Sequence, residues 1–124
     1  MKDDKRNTDL RERLLTFSID VLNFLKSIPY RKEYDVLRYQ LSKSATSIGA
    51  NYEESQASTY KEFLQRIKIA LREANETIYW VKIITRLNIT DINKSDRILS
   101  EAKEIALILG AIAAKAAKKI KEGK

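Results

Sequence analysis

Hydrophobic residues recur along most of the chain in alternating steps of four and three, the spacing of helices that pack along one seam. The pattern predicts four helices, over residues 8–28, 33–57, 59–87 and 95–121. The inward positions of the first two are Leu10, Leu14, Phe17, Val21, Phe24, Ile28, and Tyr34, Leu37, Leu41, Ala45, Ile48, Tyr52. Those of the last two are Tyr60, Leu64, Ile67, Leu71, Ala74, Ile78, Val81, and Ile98, Ala102, Ile105, Leu109, Ile112, Ala116.

Local signals mark both ends of the first helix. Thr8 or Asp9 can cap its start, with Glu12 three residues after Asp9 in a capping-box pattern. Pro29 is expected to end it, because the residue before a proline avoids the helical region.

The third helix has the clearest boundaries. Thr59 followed by Glu62 is a second capping-box pattern, and Asn88 can close the helix in a left-handed conformation. Residues 88–93 are then predicted to form a loop, so that the fourth helix begins near Ser95 or Asp96.

Glycine and proline, which interrupt helices and form turns, are scarce, with three Gly and one Pro in 124 residues. Long elements joined by short connections predict an all-α fold, an antiparallel up-down-up-down four-helix bundle. One domain over residues 1–124 fits this length, with a flexible N-terminus at 1–7 and a flexible tail at 122–124. Gly49, inside the second helix, either weakens it or lets a neighbouring helix approach closely.

Several helices carry more apolar side chains than one seam requires. The additional positions are Leu15, Leu22, Leu25, Phe63, Ala70, Trp80, Ile84 and Leu87, with a small-residue row at Ala106, Gly110, Ala113 and Ala117. Wide apolar surfaces on a small protein favour a homo-oligomer, in which a second copy covers them. A broad core-facing stripe is the alternative, because bundle helices also show one.

Positive charge is concentrated on one face of the third helix. The formal charge of the chain is +7, which favours a polyanionic partner. The basic stripe steps by four and three through Lys61, Gln65, Lys68, Arg72, Asn75, Tyr79, Lys82 and Arg86. This row of cations indicates a surface that binds the phosphates of a nucleic acid, and Tyr79 could stack on a base. The alternative is an ordinary solvated face.

A second basic cluster ends the fourth helix. It comprises Lys115, Lys118, Lys119, Lys121 and Lys124, of which Lys115, Lys118 and Lys119 are predicted to bind nucleic acid together with the stripe. These lysines also complement the helix dipole, so that stability alone can explain several of them.

Catalytic and metal-binding chemistry has little support. The chain has no His and no Cys, which removes the commonest general base, thiolate nucleophiles and the Glu-x-x-His pattern of di-iron bundles. Four carboxylates, Glu53, Glu54, Glu73 and Glu76, could meet between helices two and three and hold Mg²⁺ or Ca²⁺. Arg66, Lys68, Arg72 and Lys43 can instead neutralise them as ion pairs. We therefore expect no enzyme, no cofactor and no metal.

Helices two and three carry a recognisable pattern of residues. Gln40-Leu41, Ser44-Ala45, Ser47-Ile48, Ala50-Asn51 and Glu54 follow the spacing QL-x-x-SA-x-SI-x-AN-x-x-E. Residues 61–63 read KEF and residues 69–77 read IALREA-x-ET, with Tyr79-Trp80 following. Over residues 15–110 the chain resembles the bacterial four-helix-bundle family encoded in intervening sequences of 23S ribosomal RNA genes. Ser55 and Asn88 stand where many members have glycine.

The resemblance implies an antiparallel four-helix protomer that assembles as a ring, typically a homopentamer with a basic surface. It also implies kinship with the accessory protein of diversity-generating retroelements, which works beside a reverse transcriptase and binds nucleic acid. Asn51, Glu54, Glu73 and Glu76, which recur in the family pattern, are interpreted as structural polar residues that join helices two and three.

These observations favour a non-enzymatic, oligomeric protein that binds RNA or DNA, most plausibly RNA, with weak sequence specificity. One alternative is a scaffold or accessory subunit for a protein partner, such as a reverse transcriptase. Another is a metal-dependent enzyme that uses Glu54, Glu73 and Glu76. The chain shows neither a secretory signal nor an apolar run long enough for a membrane span, so we expect no membrane partner and a cytoplasmic location.

Overall fold

The computed structural model describes the backbone of residues 2–57 and 59–123 and the side chains from residue 9 onward within those ranges. It contains four α-helices, α1 (Lys2–Leu25), α2 (Asp35–Ser55), α3 (Tyr60–Leu87) and α4 (Ile92–Lys121). A short 3₁₀ turn, Lys32–Tyr34, leads into α2. No strand occurs in these described ranges, and the all-α prediction is confirmed.

The helices form a closed cycle of neighbours. α2 packs against α1 and α3, α3 packs against α4, and α4 returns to α1, while the diagonal pairs make no contact within the described chain. α1 and α2 run antiparallel, since Leu14 faces Gly49 and the later Ser18 reaches the earlier Ala45. α2 and α3 do the same, since Ser44 meets Thr77 and the later Asn51 meets the earlier Arg66. The four-helix-bundle prediction is therefore confirmed.

Most of the predicted seam residues form the core, but the buried face of α3 differs from the predicted one. Tyr60 is 42% exposed, and Leu64, Leu71 and Ile78 are half-buried. Ala70, Thr77 and Ile84 are buried instead, because α3 packs against both α2 and α4. Leu14, Phe17, Leu41, Ile48, Ile67, Val81, Ile105 and Leu109 are all less than 2% exposed. Their burial removes apolar surface from water and supplies the main stabilisation of the fold. One polar contact lies inside this core, where Thr77 Oγ1 is 2.9 Å from Ser44 Oγ and fixes the register of α3 against α2.

Both predicted boundaries of α3 are confirmed. The Thr59 side chain caps the first turn by accepting a hydrogen bond from the Glu62 N–H at 3.4 Å. At the other end Asn88 adopts the left-handed conformation, with φ 55° and ψ 44°. Asparagine tolerates that conformation better than most residues, so the helix can stop there without a glycine.

The predicted boundaries of α1 are wrong at both ends. The helix begins at Lys2 rather than at residue 8, so neither Thr8 nor Asp9 acts as its cap. It ends at Leu25 rather than at residue 28, and the next three N–H groups make tighter bonds to carbonyls three residues back. Pro29 accounts for this end, because it has no N–H to donate to the Leu25 carbonyl and its ring would clash with that carbonyl in a helix. The Arg38 guanidinium of α2 then donates to the carbonyls of Ile28 and Pro29. The flexibility of residues 1–7 and 122–124 remains a prediction.

Two other predicted limits also need correction. α4 begins at Ile92 rather than near residue 95, because the Asp91 carboxylate accepts the Asn93 N–H at 2.9 Å and caps the helix. Ser95 lies inside the first turns and donates to the Ile92 carbonyl. α2 spans residues 35–55 rather than 33–57, since the 3₁₀ turn occupies its predicted start.

The bundle buries only part of the additional apolar surface. Ala70 and Ile84 are fully buried in the core, whereas Leu15 and Leu22 on α1 remain 55% and 45% exposed. A Cβ at Gly49 would lie 3.5 Å from that of Leu14, which matches the predicted close approach of α1. In the small-residue row of α4, Ala113 is buried in the core, whereas Gly110 has no such neighbour among the described residues, because a Cβ there would meet nothing within 4 Å. None of the helices in the described ranges has the length and apolar character to cross a bilayer.

Candidate nucleic-acid interface

The basic stripe on α3 lies wholly on the outside of the bundle. All eight of its side chains are exposed: Lys61, Gln65, Lys68, Arg72, Asn75, Tyr79, Lys82 and Arg86. Their positions span about 38 Å at 1.5 Å per residue, close to the length of one turn of duplex nucleic acid. The helix thus presents five cations and one tyrosine along a single polar face.

The stripe cations form no ion pair among the described residues. Within the described ranges no carboxylate oxygen lies within 4.0 Å of the charged nitrogens of Lys61, Lys68, Arg72, Lys82 or Arg86. The ion pairs of the bundle involve other cations, at the sides of α1, α2 and α3. Tyr79 is 59% exposed, with its ring in edge contact with Trp80 at 5.2 Å between centroids. These groups remain available to an outside ligand.

The described lysines of the second basic cluster are all exposed at the end of α4. Lys115 and Lys119, four residues apart, line a groove of about 720 Å³ between α1 and α4. Lys118 and Lys121 do not line that groove. Lys124 lies outside the described residues. The groove therefore includes two of the four described lysines of the cluster.

The groove between α1 and α4 includes aromatic residues that the sequence-based site did not contain. Its walls are formed by Asp9, Leu10, Arg13, Tyr52, Gln56, Tyr60, Phe63, Ile108, Ile112, Lys115, Ala116 and Lys119. Tyr60 and Phe63 stack at 5.9 Å between ring centroids and 13° between planes. Two aromatic residues three positions apart on α3 lie on the same side of the helix, and this spacing is the sequence signal for the stacked pair. The sequence-based prediction assigned Tyr60 to the core and Phe63 to the additional apolar surface.

Asn51 and Glu54 contact the same arginine on the facing helix. Arg66 on α3 lies 2.8 Å from a Glu54 oxygen, and its Nη1 lies 3.4 Å from Asn51 Oδ1. Asn51 also donates to the Ser47 carbonyl at 2.9 Å. Glu53 pairs in the other direction, with Arg11 on α1 at 3.3 Å. These contacts join α2 to both of its neighbours.

Glu73 and Glu76 form a separate carboxylate pair on α3. The pKa of Glu73 is raised, mainly by burial, and also by the charge of Glu76 and a hydrogen bond between the two side chains. Arg72 and Lys43 act in the opposite direction. Among the described residues no three carboxylates lie close enough together to hold a metal ion. The four carboxylates thus do not converge as the metal hypothesis required.

Comparisons with known proteins agree with the fold. The chain superposes on the crystal structure of a Bacteroides thetaiotaomicron protein of unknown function from the S23 ribosomal protein family, with a TM-score of 0.77 and 30% sequence identity. That match covers 83% of this chain and 96% of the other. No curated protein matches the chain. The family model of the 23S rRNA-intervening sequence protein matches residues 6–111. The four-helix bundle therefore belongs to the 23S rRNA-intervening sequence protein family.

Proposed function

We propose that this protein is a non-enzymatic, oligomeric RNA-binding protein of the cytoplasm that recognises phosphate rather than sequence. The observation that carries the proposal is the basic stripe on α3, whose five cations are exposed and form no ion pair within the described chain. Cations held on a rigid helix release counterions when they meet a phosphate backbone, and this release drives association. The family name points to RNA as the polyanion.

Binding strength as a function of salt tests this proposal directly. We would measure the affinity of the wild type and of Lys68→Glu with Arg72→Glu for a fluorescent RNA across a salt series. Loss of two phosphate contacts should lower the slope of log affinity against log salt by about 1.4 for a single strand. Affinity should also fall at every salt concentration.

A charge-matched control separates the stripe from bulk charge. Lys26→Glu with Lys32→Glu makes the same change in net charge at two exposed residues near the α1–α2 connection. This control should lose much less affinity than the stripe variant. Equal losses in both would show that the stripe is not the site, and no RNA binding by the wild type would reject the function.

The oligomeric part of the proposal has separate support. Leu15, Ile19 and Leu22 follow one another in steps of four and three on the outside of α1 and are 55%, 50% and 45% exposed. A continuous apolar stripe of this kind is typical of a surface that another helix covers. The family resemblance suggests a ring of five copies.

Light scattering at micromolar concentration tests the assembly. The wild type should be oligomeric, and Ile19→Glu should shift it toward monomer by placing a charge in the interface. Leu107→Glu is the matched control, because Leu107 is a single apolar side chain that is 75% exposed on α4. A monomeric wild type would contradict the assembly while leaving RNA binding open to its own test.

A further inference from the structure

We propose that the groove between α1 and α4 binds unpaired bases and makes the protein prefer single-stranded RNA to duplex RNA. This inference rests on the proposed function and assigns a second part of the same binding surface. Apart from Tyr79, the stripe offers phosphate contacts, which a single strand and a duplex both provide. The groove adds an apolar, aromatic recess that only an exposed base can enter.

The shape of the groove follows from the packing of α4. The inward positions of that helix are filled by Ile105 and Leu109 in its middle but by Ala113 and Ala116 near its end. Short side chains leave the seam between α1 and α4 unfilled there, where the backbones of these two helices come close at fewer positions than those of the other neighbouring pairs. The resulting volume, about 720 Å³, lies within the range of small-molecule pockets.

Aromatic rings supply the surface for a base. Tyr60 is 42% exposed and lies in a parallel stack with Phe63, so that the two rings form a flat platform in the wall of the groove. Stacking on such a ring requires a base whose face is free, which duplex RNA does not offer along its length. Leu10 and Ile112 make other parts of the wall apolar.

Cations at the groove supply the complementary charge. Lys115 and Lys119 lie one helical turn apart on the α4 wall, with no carboxylate within 4.0 Å in the described chain. The other cation of the wall, Arg13, is already occupied, because its guanidinium donates to both oxygens of Glu101 at 2.8 Å. Asp9 is the acidic residue of the lining. Two free lysines beside an aromatic platform fit a phosphate and its base.

The groove also lies next to the basic stripe. Lys61, the first cation of the stripe, directly follows Tyr60 on α3 and is exposed. A strand that follows the stripe toward the beginning of α3 therefore reaches the platform without leaving the protein surface. This continuity, together with the charge, favours nucleic acid over an acidic peptide as the occupant.

Fluorescence anisotropy with two RNA probes tests the proposal. The probes are an oligouridylate of about 12 nucleotides and a blunt RNA duplex of the same length, within the site sizes of single-strand binders. Wild type should bind the single strand more tightly. Tyr60→Ala should weaken single-strand binding by about 5-fold to 150-fold, the contribution of one stacked base, and leave duplex binding unchanged. Tyr60→Phe keeps the ring and should retain the wild-type preference.

A second pair of variants tests the lysines without changing the aromatic wall. Lys115→Glu with Lys119→Glu changes the groove, and Lys118→Glu with Lys121→Glu makes the same charge change on the same helix outside it. Single-strand affinity should fall further in the groove variant, while duplex affinity should fall equally in both. This comparison shows whether the groove contributes to single-strand binding even if Tyr60→Ala unfolds.

The failures of the two proposals are distinguishable. If wild type binds both probes equally and neither groove variant changes that ratio, the groove proposal is overturned and phosphate binding by the stripe stands. If wild type binds neither probe, the proposed function itself is rejected. If an acidic peptide binds the wild type, loses affinity in Lys115→Glu with Lys119→Glu and does not displace the single-stranded RNA, the groove is a peptide site and the proposal is overturned.

Discussion

Two hydroxyl groups inside the core illustrate how single residues fix the packing of helices. Thr77 Oγ1 lies 2.9 Å from both Ser44 Oγ and the Glu73 carbonyl, and Ser44 Oγ lies 3.3 Å from the Leu41 carbonyl. A buried hydroxyl that loses its hydrogen-bond partner destabilises the fold, because it has given up its hydrogen bonds to water and nothing replaces them. The pair is therefore a specific constraint on the register of α2 against α3, in surroundings that are otherwise apolar.

A double-mutant cycle should reveal this coupling. Thr77→Val should lower the free energy of unfolding by about 1 to 2 kcal/mol, because Ser44 loses its interhelical partner. The double variant with Ser44→Ala should lose less than the sum of the single changes, since no hydroxyl is then left alone. Guanidinium denaturation measures all four proteins. Strict additivity would show that the two hydroxyls are not coupled.

Glu73 makes stability depend on pH at the residue scale. Because its folded-state pKa lies above the ordinary value of 4.5, folding favours the protonated carboxyl and is disfavoured by the ionised one. This cost is present above the folded-state pKa and disappears as pH falls below 4.5. Glu73→Gln should therefore raise the free energy of unfolding at pH 7, by up to about 0.5 kcal/mol for this partly exposed site.

Denaturation of the Glu73→Gln variant at two pH values checks the sign. The gain over wild type should be largest at neutral pH and vanish below pH 4.5. A variant less stable than wild type at pH 7 would mean that the attractions to Lys43 and Arg72 outweigh burial and the repulsion by Glu76.

At the scale of the helix, the sequence predicted those helix boundaries that depend on apolar periodicity and on capping residues close by in the chain. α3 was predicted almost to the residue, because its period and both of its caps, at Thr59 and Asn88, are local. The start of α4 was missed because Ile92 and Asn93 are exposed and add nothing to the apolar period. The end of α1 was placed three residues too late, because Pro29 disrupts the helix as far back as the carbonyl of Leu25 and not only at the residue before it.

Gly49 offers a test of packing between α1 and α2. Gly49→Ala should stabilise the protein by about 0.5 to 1 kcal/mol, because alanine favours the helix and its Cβ would make ordinary contact with Leu14 at 3.5 Å. Gly49→Leu should destabilise it, since the longer side chain has no room beside α1. Thermal unfolding measures both, and a loss of stability in the alanine variant would contradict this contact geometry.

Gly110→Ala is the matched change on α4. A Cβ there meets nothing within the chain, so the folded protomer should gain a similar amount of stability. A second copy packed closely against this row would be displaced by the added methyl group. Light scattering of the variant therefore shows whether the small-residue row takes part in assembly.

At the scale of the whole molecule, the candidate site was predicted in part. The basic stripe needs only the helical period, so the sequence placed all eight of its residues on one face. The groove was missed because its walls come from all four helices, and Tyr60 meets Lys119 only once α3 and α4 lie side by side.

The loose seam between α1 and α4 has a consequence for how the molecule opens. Among the described residues, α1 lies close to its neighbours at fewer positions than any other helix, and the ion pairs of Arg13 with Glu101 and Glu104 supplement the core contacts that hold it against α4. Its amide protons should therefore exchange with solvent through a local opening that costs less free energy than global unfolding. Those of α3, packed on both sides, should exchange last.

Hydrogen–deuterium exchange followed by mass spectrometry measures this order. Peptides from α1 should take up deuterium before those from α3, and Arg13→Ala should speed uptake in α1 alone. Simultaneous exchange of all four helices would contradict a local opening. In the expected order, α2, α3 and α4 persist as a folded unit from which the first helix detaches, and the inner face of that unit becomes transiently accessible to another chain.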